Sequence, residues 1–317
     1  MSRRWKIALW IIGPTVVIVG GLAIALLLSS PPVSEPSFDV VTREIPSDWS
    51  HTDAASDGDP IEEVAPLAEE PLAEPSKEAA PAPFVSTGSL AIIGDGKPFG
   101  EEIYELTISE DQATLRSSGR FWFKIVVATV NVTFEQTLEA KGDLRPVMYV
   151  AEFHAPLGFD RSIRATVKED NVTIEQSDKT EQIPIDPENT FTLGTFSTYV
   201  LLPRLFALRH TEDTASFEVL VFGGPPNQES RDQAPGEDAS LPTMTIERMG
   251  MATLRAGEIF LDVDCYSVSS DLGQSELFSR GDEFLAFRAG DEDNPLWVYR
   301  SDFFPNGVEV VDLTSFR

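Results

Sequence analysis

The run GRFWFKIVVATVNVTFEQTLEA, residues 119–140, is the longest apolar-rich stretch outside the N-terminus. Read on alternate positions, Trp122, Val126, Val130, Val132, Phe134 and Leu138 form one apolar face. The other set, Phe121, Phe123, Ile125 and Val127, starts apolar and turns polar at Thr129, Asn131, Thr133 and Glu135. Period-two alternation is the mark of a strand, so the spacing predicts a long strand over 120–139, covered on both faces for its first half. Similar short runs recur at 88–93, 101–109, 112–117, 145–154, 160–168, 171–176, 215–222, 243–249, 258–267, 273–279, 283–289, 296–300 and about 307–313. Turn-forming clusters such as GDGKPFG, KEDN, SRGDE and GDEDNP separate them.

Many strands in a row, without helices between them, predict a mainly β domain: a long antiparallel meander forming a curved sheet or half-barrel. One segment departs from the pattern. In FTLGTFSTYVLLPRLFALR, 191–209, Phe196, Tyr199, Val200, Leu202, Leu205 and Phe206 recur at helical spacing. Pro203 suits a helix's first turn, so one or two short helices are expected here. Such a helix, laid on the concave side, accounts for the two-faced strand. A β-sandwich with an unevenly buried central strand is the alternative. Residues 224–242 read as a long polar loop.

The N-terminus has a different texture. Residues 7–28, IALWIIGPTVVIVGGLAIALLL, carry no charge. As a helix the run is about 33 Å long at ~1.5 Å per residue, enough for a hydrocarbon core of ~30 Å. Arg3, Arg4 and Lys6 precede it and acids follow, which predicts a cytoplasmic stub over 1–6, a single transmembrane helix over 7–28, and an extracytoplasmic remainder. A cleaved signal peptide is the competing reading, but its apolar core spans only ~7–15 residues before a small-residue site. Here Pro31 and Pro32 follow at once. Residues 29–85 are rich in Pro, Ala and Glu, with thirteen acids against Arg43 and Lys77. That composition predicts a disordered linker. The exported β domain then occupies 86–317.

The formal charge of −28 repels phosphate, which excludes a nucleic-acid partner. The single cysteine, Cys265, shares an expected strand face with Ile259, Leu261 and Val263, and reads as a buried thiol. Asp262 and Asp264 fall on the opposite, solvent face. His154 and His210 lack metal-site spacing, GDGKPFG lacks a phosphate-loop pattern, and no G-x-S-x-G occurs. No metal, cofactor or catalytic residue is expected, and the chain reads as a binding protein rather than an enzyme. A hydrolase using paired carboxylates is the third-ranked reading.

The element order resembles that of exported curved-sheet proteins related to the LolA-type lipoprotein carriers, and of an uncharacterised bacterial envelope family with the same half-barrel pattern. The stretches that carry the resemblance are GKPFGEEIYELTI, FSTYVLLPRLFALR, LPTMTIERMGMATLRAGEIFLDVDCYSV and PLWVYRSDFFPNGVEVV, the last including Val298, Arg300 and Asp302. The resemblance implies a hydrophobic cradle for acyl or glycolipid-like ligands. A retained membrane span departs from the carriers' free shuttling. Phe121, Phe123, Ile125 and Val127, with Phe196, Tyr199 and Leu202, are the expected lining of an apolar ligand site under the helix. The expected partners are the membrane, an apolar or amphiphilic molecule, and, as the alternative, an envelope protein bound by a module with a solid core.

Overall fold

The computed structural model describes residues 50–51, 82–125, 128–156, 160–176, 179–222, 241–270, 273–290 and 294–315. The expected stub, the apolar run 7–28, most of the linker and the body of the 224–242 loop lie outside them. So does Val127, and the side chains of Phe123 and Ile125 are also outside. Among the described residues, no helix is long and apolar enough to cross a membrane.

Successive hairpins build one large, curved, open sheet. After β1 (Ser50–His51) come β2 (Phe84–Gly94), β3 (Lys97–Ile108), β4 (Gln112–Ile125), β5 (Ala128–Lys141) and β6 (Pro146–His154). Three shorter strands follow, β7 (Arg161–Lys168), β8 (Asn171–Gln176) and β9 (Lys179–Pro184), each antiparallel to the one before. The second half runs from β10 (Thr190–Leu193) and β11 (Thr214–Val221) through β12 (Thr243–Ala256), β13 (Ile259–Ser270), β14 (Gly273–Arg280) and β15 (Glu283–Ala289) to β16 (Leu296–Arg300). β16 pairs with β2, from Leu296 opposite Gly94 to Arg300 opposite Leu90, and so joins the halves. β17 (Glu309–Ser315) lies along the second part of β12.

The two-faced strand of the sequence is in fact a hairpin. Ile125 pairs with Ala128, so β4 ends and β5 begins within the run that reads as one strand, and Phe121 lies opposite Val132. In this register each odd position of β4 lies opposite an even position of β5. Odd positions of β4 and even positions of β5 therefore share one face. Phe121, Val132, Phe134 and Leu138 thus share one face of two strands, while Trp122, opposite Asn131, is on the other.

Strands buried on both faces do occur, further along. In β15, Phe284 and Phe287 join the large concave core, while Leu285 and Ala286 join a smaller core on the other side of the sheet. That smaller core is roofed by Phe303 and Phe304 after β16. The purely antiparallel expectation also needs correcting. β10 and β11 are parallel, Phe191 opposite Val219, and are joined by a helical crossover. A parallel pair cannot be closed by a tight turn and needs such a connection. The helical stretch thus begins later than 191: TFTL is strand β10, Phe196–Leu201 is a 3-10 turn, and α1 spans Leu202–Arg209 with Pro203 at its start. Phe196, Val200, Leu201, Leu202, Leu205 and Phe206 are all buried against the concave face.

Candidate functional site: an aromatic rim above a filled interior

The expected ligand-lining residues divide into those that fill the interior and those at its edge. Leu202 is fully buried in the core, with Leu201 and Leu205 beside it. Burying an aliphatic or aromatic side chain stabilises by ~1.5–3 kcal/mol, so six such side chains contribute on the order of 9–18 kcal/mol. That matches or exceeds the ~5–15 kcal/mol of net stability typical of a whole domain. Lifting the helical plug would therefore amount to unfolding. The gap behind it, lined by Leu138, Ala140, Leu144, Pro146, Phe191, Thr192 and Leu201, is too narrow to admit a water molecule.

The edge is different. Phe121 stacks on Phe134 with ring centroids 5.0 Å apart, and meets Phe99 at 5.9 Å and Phe196 edge-on at 6.0 Å. Phe134 continues to Phe153 at 6.0 Å, and Phe196 to Tyr199 at 5.9 Å. Tyr199 meets Phe287 of β15 at 4.6 Å. Rings from β3, β4, β5, β6, the 3-10 turn and β15 thus form one continuous row. Strand pairing sets its spacing. Phe121 lies opposite Gly100, and Phe134 opposite Gly119. A Cβ on Gly100 would stand 2.6 Å from the Phe121 ring, and one on Gly119 2.7 Å from that of Phe134. At Gly119 the Glu101 carbonyl oxygen is closer still, so both the neighbouring backbone and the rings leave no room for a side chain at these two positions. Phe99, Phe121, Phe153 and Tyr199 remain only half-buried.

The β4–β5 hairpin continues beyond this row. β3 pairs with β4 no further than Phe121, and β6 with β5 no further than Thr133. The pairs from Trp122–Asn131 to Ile125–Ala128 therefore have no third strand among the described residues. Trp122 donates its indole N–H to the Pro98 carbonyl at 2.7 Å, and with Val130 and Val132 stays half-buried. The structure thus brings Phe121, Phe196 and Tyr199 together at the rim and places Leu202 in the core beneath.

Two buried ionisable groups have structural roles that the sequence reading did not assign. Glu102 accepts bonds from Ser117 Oγ at 2.6 Å, Thr195 Oγ1 at 2.5 Å and the Ser197 N–H at 3.0 Å. Gln136 donates to Ser197 Oγ at 2.7 Å and accepts from Tyr149 and the Thr195 N–H, both at 3.0 Å. This network sews the start of the plug to β3, β4, β5 and β6. Burial raises the Glu102 pKa; the donors oppose that but do not cancel it. Burial likewise pushes the Tyr199 phenol up to about 12. The second group is Arg300, fully buried and bidentate to Asp302 at 2.8 and 2.6 Å, with a third bond to Glu283 at 3.0 Å. Its guanidinium lies 4.4 Å from the Phe303 ring. Burial lowers its pKa, but Asp302 and Glu283 prevail and hold it above the usual value. Parity was the available signal. Glu102 shares its face with Tyr104, Leu106 and Ile108, and Gln136 with Phe134 and Leu138.

Other groups fall where expected. Cys265 is buried, with its thiol pushed up to about 12 by burial. Asp262 is exposed and accepts from Thr253 at 3.0 Å, while Asp264 binds Arg248 at 2.6 Å. His154 is exposed beside Asp160, and His210 stacks on Phe206. Among the described residues, no group of three or more His, Cys, Asp or Glu side chains is placed to hold a metal ion.

The architecture is that of an open, curled β-sheet domain with a helical plug and a partly exposed aromatic rim. No protein-family model matches the chain, and no curated protein matches it significantly. Among solved structures, it is similar to a β-barrel-like protein of a domain of unknown function, DUF1849, from Brucella abortus, with a TM-score of 0.44 and 10% identity over 73% of this chain and 98% of that one. It is also similar to a DUF1089-family protein from Pseudomonas aeruginosa, with a TM-score of 0.36 and 14% identity over 58% of this chain and 86% of that one.

Proposed function

We propose that the chain is a membrane-held, extracytoplasmic binding protein that takes an apolar or amphiphilic ligand at the aromatic rim and along the β4–β5 arm. The observation that carries this reading is the row of rings from Phe153 to Tyr199 with Phe99 beside it, half-covered at Phe99, Phe121, Phe153 and Tyr199, and continued by an arm that has no flanking strand among the described residues. Soluble domains seldom leave contiguous apolar surface uncovered without a use for it. The uncharged run 7–28 and the bases before it support the anchor and its orientation. The binding is by shape and dispersion, without covalent chemistry. The narrowness of the gap behind the plug favours a site at its edge over a cradle beneath the helix. Native mass spectrometry of the chain from residue 30, mixed with a bacterial lipid extract, tests the reading. Adducts that disappear in Phe121→Ser support it; no adduct at any lipid load rejects it.

A second reading is an envelope protein docked on the same rim. The outer edges of the β4–β5 arm, which have no partner strand among the described residues, favour it, because an extended segment adds readily to such edges. Crosslinking from position 122 in cells separates the two readings by the nature of what is captured.

A further inference from the structure

β13 is open along part of one edge. β14 pairs with it only from Asp264 to Ser270, whereas β12 covers its other side as far as Ile259. The stretch from Ile259 to Val263 therefore extends past β14. Two residues from far upstream lie against it: Ser50 opposite Leu261, and His51 opposite Phe260, antiparallel. They belong to a segment whose composition cannot build a core of its own. Unpaired edge groups are the feature of β13 that can hold them.

We propose that this open edge of β13 is a strand-addition site for the chain's own linker, which docks there as a strap. The sequence suits the role. Ser47–His51, SDWSH, has no proline, so every amide in it is free to pair, while Pro46 and Pro60 bracket the stretch. Being in the same chain gives the strap a high effective concentration over any competing strand. A few backbone bonds set against closure of the 52–83 loop make a near-even balance, so the strap exchanges rather than locks. Its docking also shortens the tether. Fully extended, residues 29–49 reach about 70 Å at ~3.3 Å per residue, against about 180 Å for 29–83. The strap is independent of the rim, and either can fail without the other.

Hydrogen exchange on the full chain in nanodiscs tests the docking, comparing wild type with Ser50→Pro/His51→Pro. Unchanged exchange in β2 to β9 reports that the variant keeps its fold. Peptides covering 259–263 are expected to exchange about twofold faster in the variant, as loss of a strap docked about half the time requires, with the rest of the sheet unchanged. Equal rates there would overturn the proposal. Mild oxidation of His51→Cys/Phe260→Cys distinguishes strap from swap. A disulfide within one chain, lacking in His51→Cys/Ser216→Cys, supports docking in cis. A disulfide between chains would overturn the cis assignment.

Discussion

The segment under the sheet and the arm at its edge are both rich in apolar residues, yet they end in different environments. Leu201, Leu202 and Leu205 of the plug are wholly enclosed, whereas Phe99, Phe121, Trp122 and Tyr199 keep part of their surface in water. Enclosed apolar surface has already contributed its free energy to folding. Half-covered surface has more to contribute, and a binding partner is what would draw on it. Interior substitutions should therefore act on stability, and rim substitutions on binding.

The largest effect is expected at Arg300. Replacing it with Met leaves Asp302 buried without its cation, and a loss of ~3–5 kcal/mol in urea unfolding is the expected result. Combining it with Asp302→Leu should recover much of that loss. A double variant no better than the single would show that the pair matters for more than its charges. Next comes Leu202→Ala, which opens a cavity beneath the plug and should cost ~2–5 kcal/mol.

How much of this was legible depended on what each signal encodes. Strand positions followed from alternation and turn chemistry, and most were found within a few residues. The break between β4 and β5 escaped because the sequence around it contains no Gly, Pro, Asn or Asp, so two strands read as one. β9 and β10 escaped for opposite reasons. KTEQIP is an exposed edge strand with one apolar alternation, and TFTL is buried throughout and abuts a helix. The docked Ser50–His51 was invisible because its partner is some 210 residues away. Parity and helical spacing singled out Phe121, Phe196 and Tyr199, whose rings meet in the structure. They could not tell a lined hollow from a filled one, since both require the same residues.

Smaller effects sharpen the contrast. The Glu102 pKa is raised in the folded state, so the native protein holds that proton at pH values where the unfolded chain has lost it. Stability from this group is complete below the unfolded value of 4.5 and declines as pH rises toward the folded one, by at most ~1.4 kcal/mol per pH unit. Thermal unfolding of Glu102→Gln from pH 4.5 upward should show a flatter profile than wild type; parallel profiles would remove the buried carboxyl from the account. Trp122→Ser should be the mildest to the fold, below ~1 kcal/mol, since the indole is half-exposed and its main loss is one hydrogen bond to Pro98.

The decisive measurement is calorimetric titration of a dodecyl-chain amphiphile, below its micelle concentration, into the chain from residue 30 as wild type, Phe121→Ser and Leu202→Ala. Recognition at the rim predicts saturable binding that weakens tenfold or more in Phe121→Ser, a change of about 1.4 kcal/mol, and stays within a factor of about two in folded Leu202→Ala. Binding that is indifferent to Phe121 but altered by the cavity at Leu202 would place the ligand inside and contradict the account.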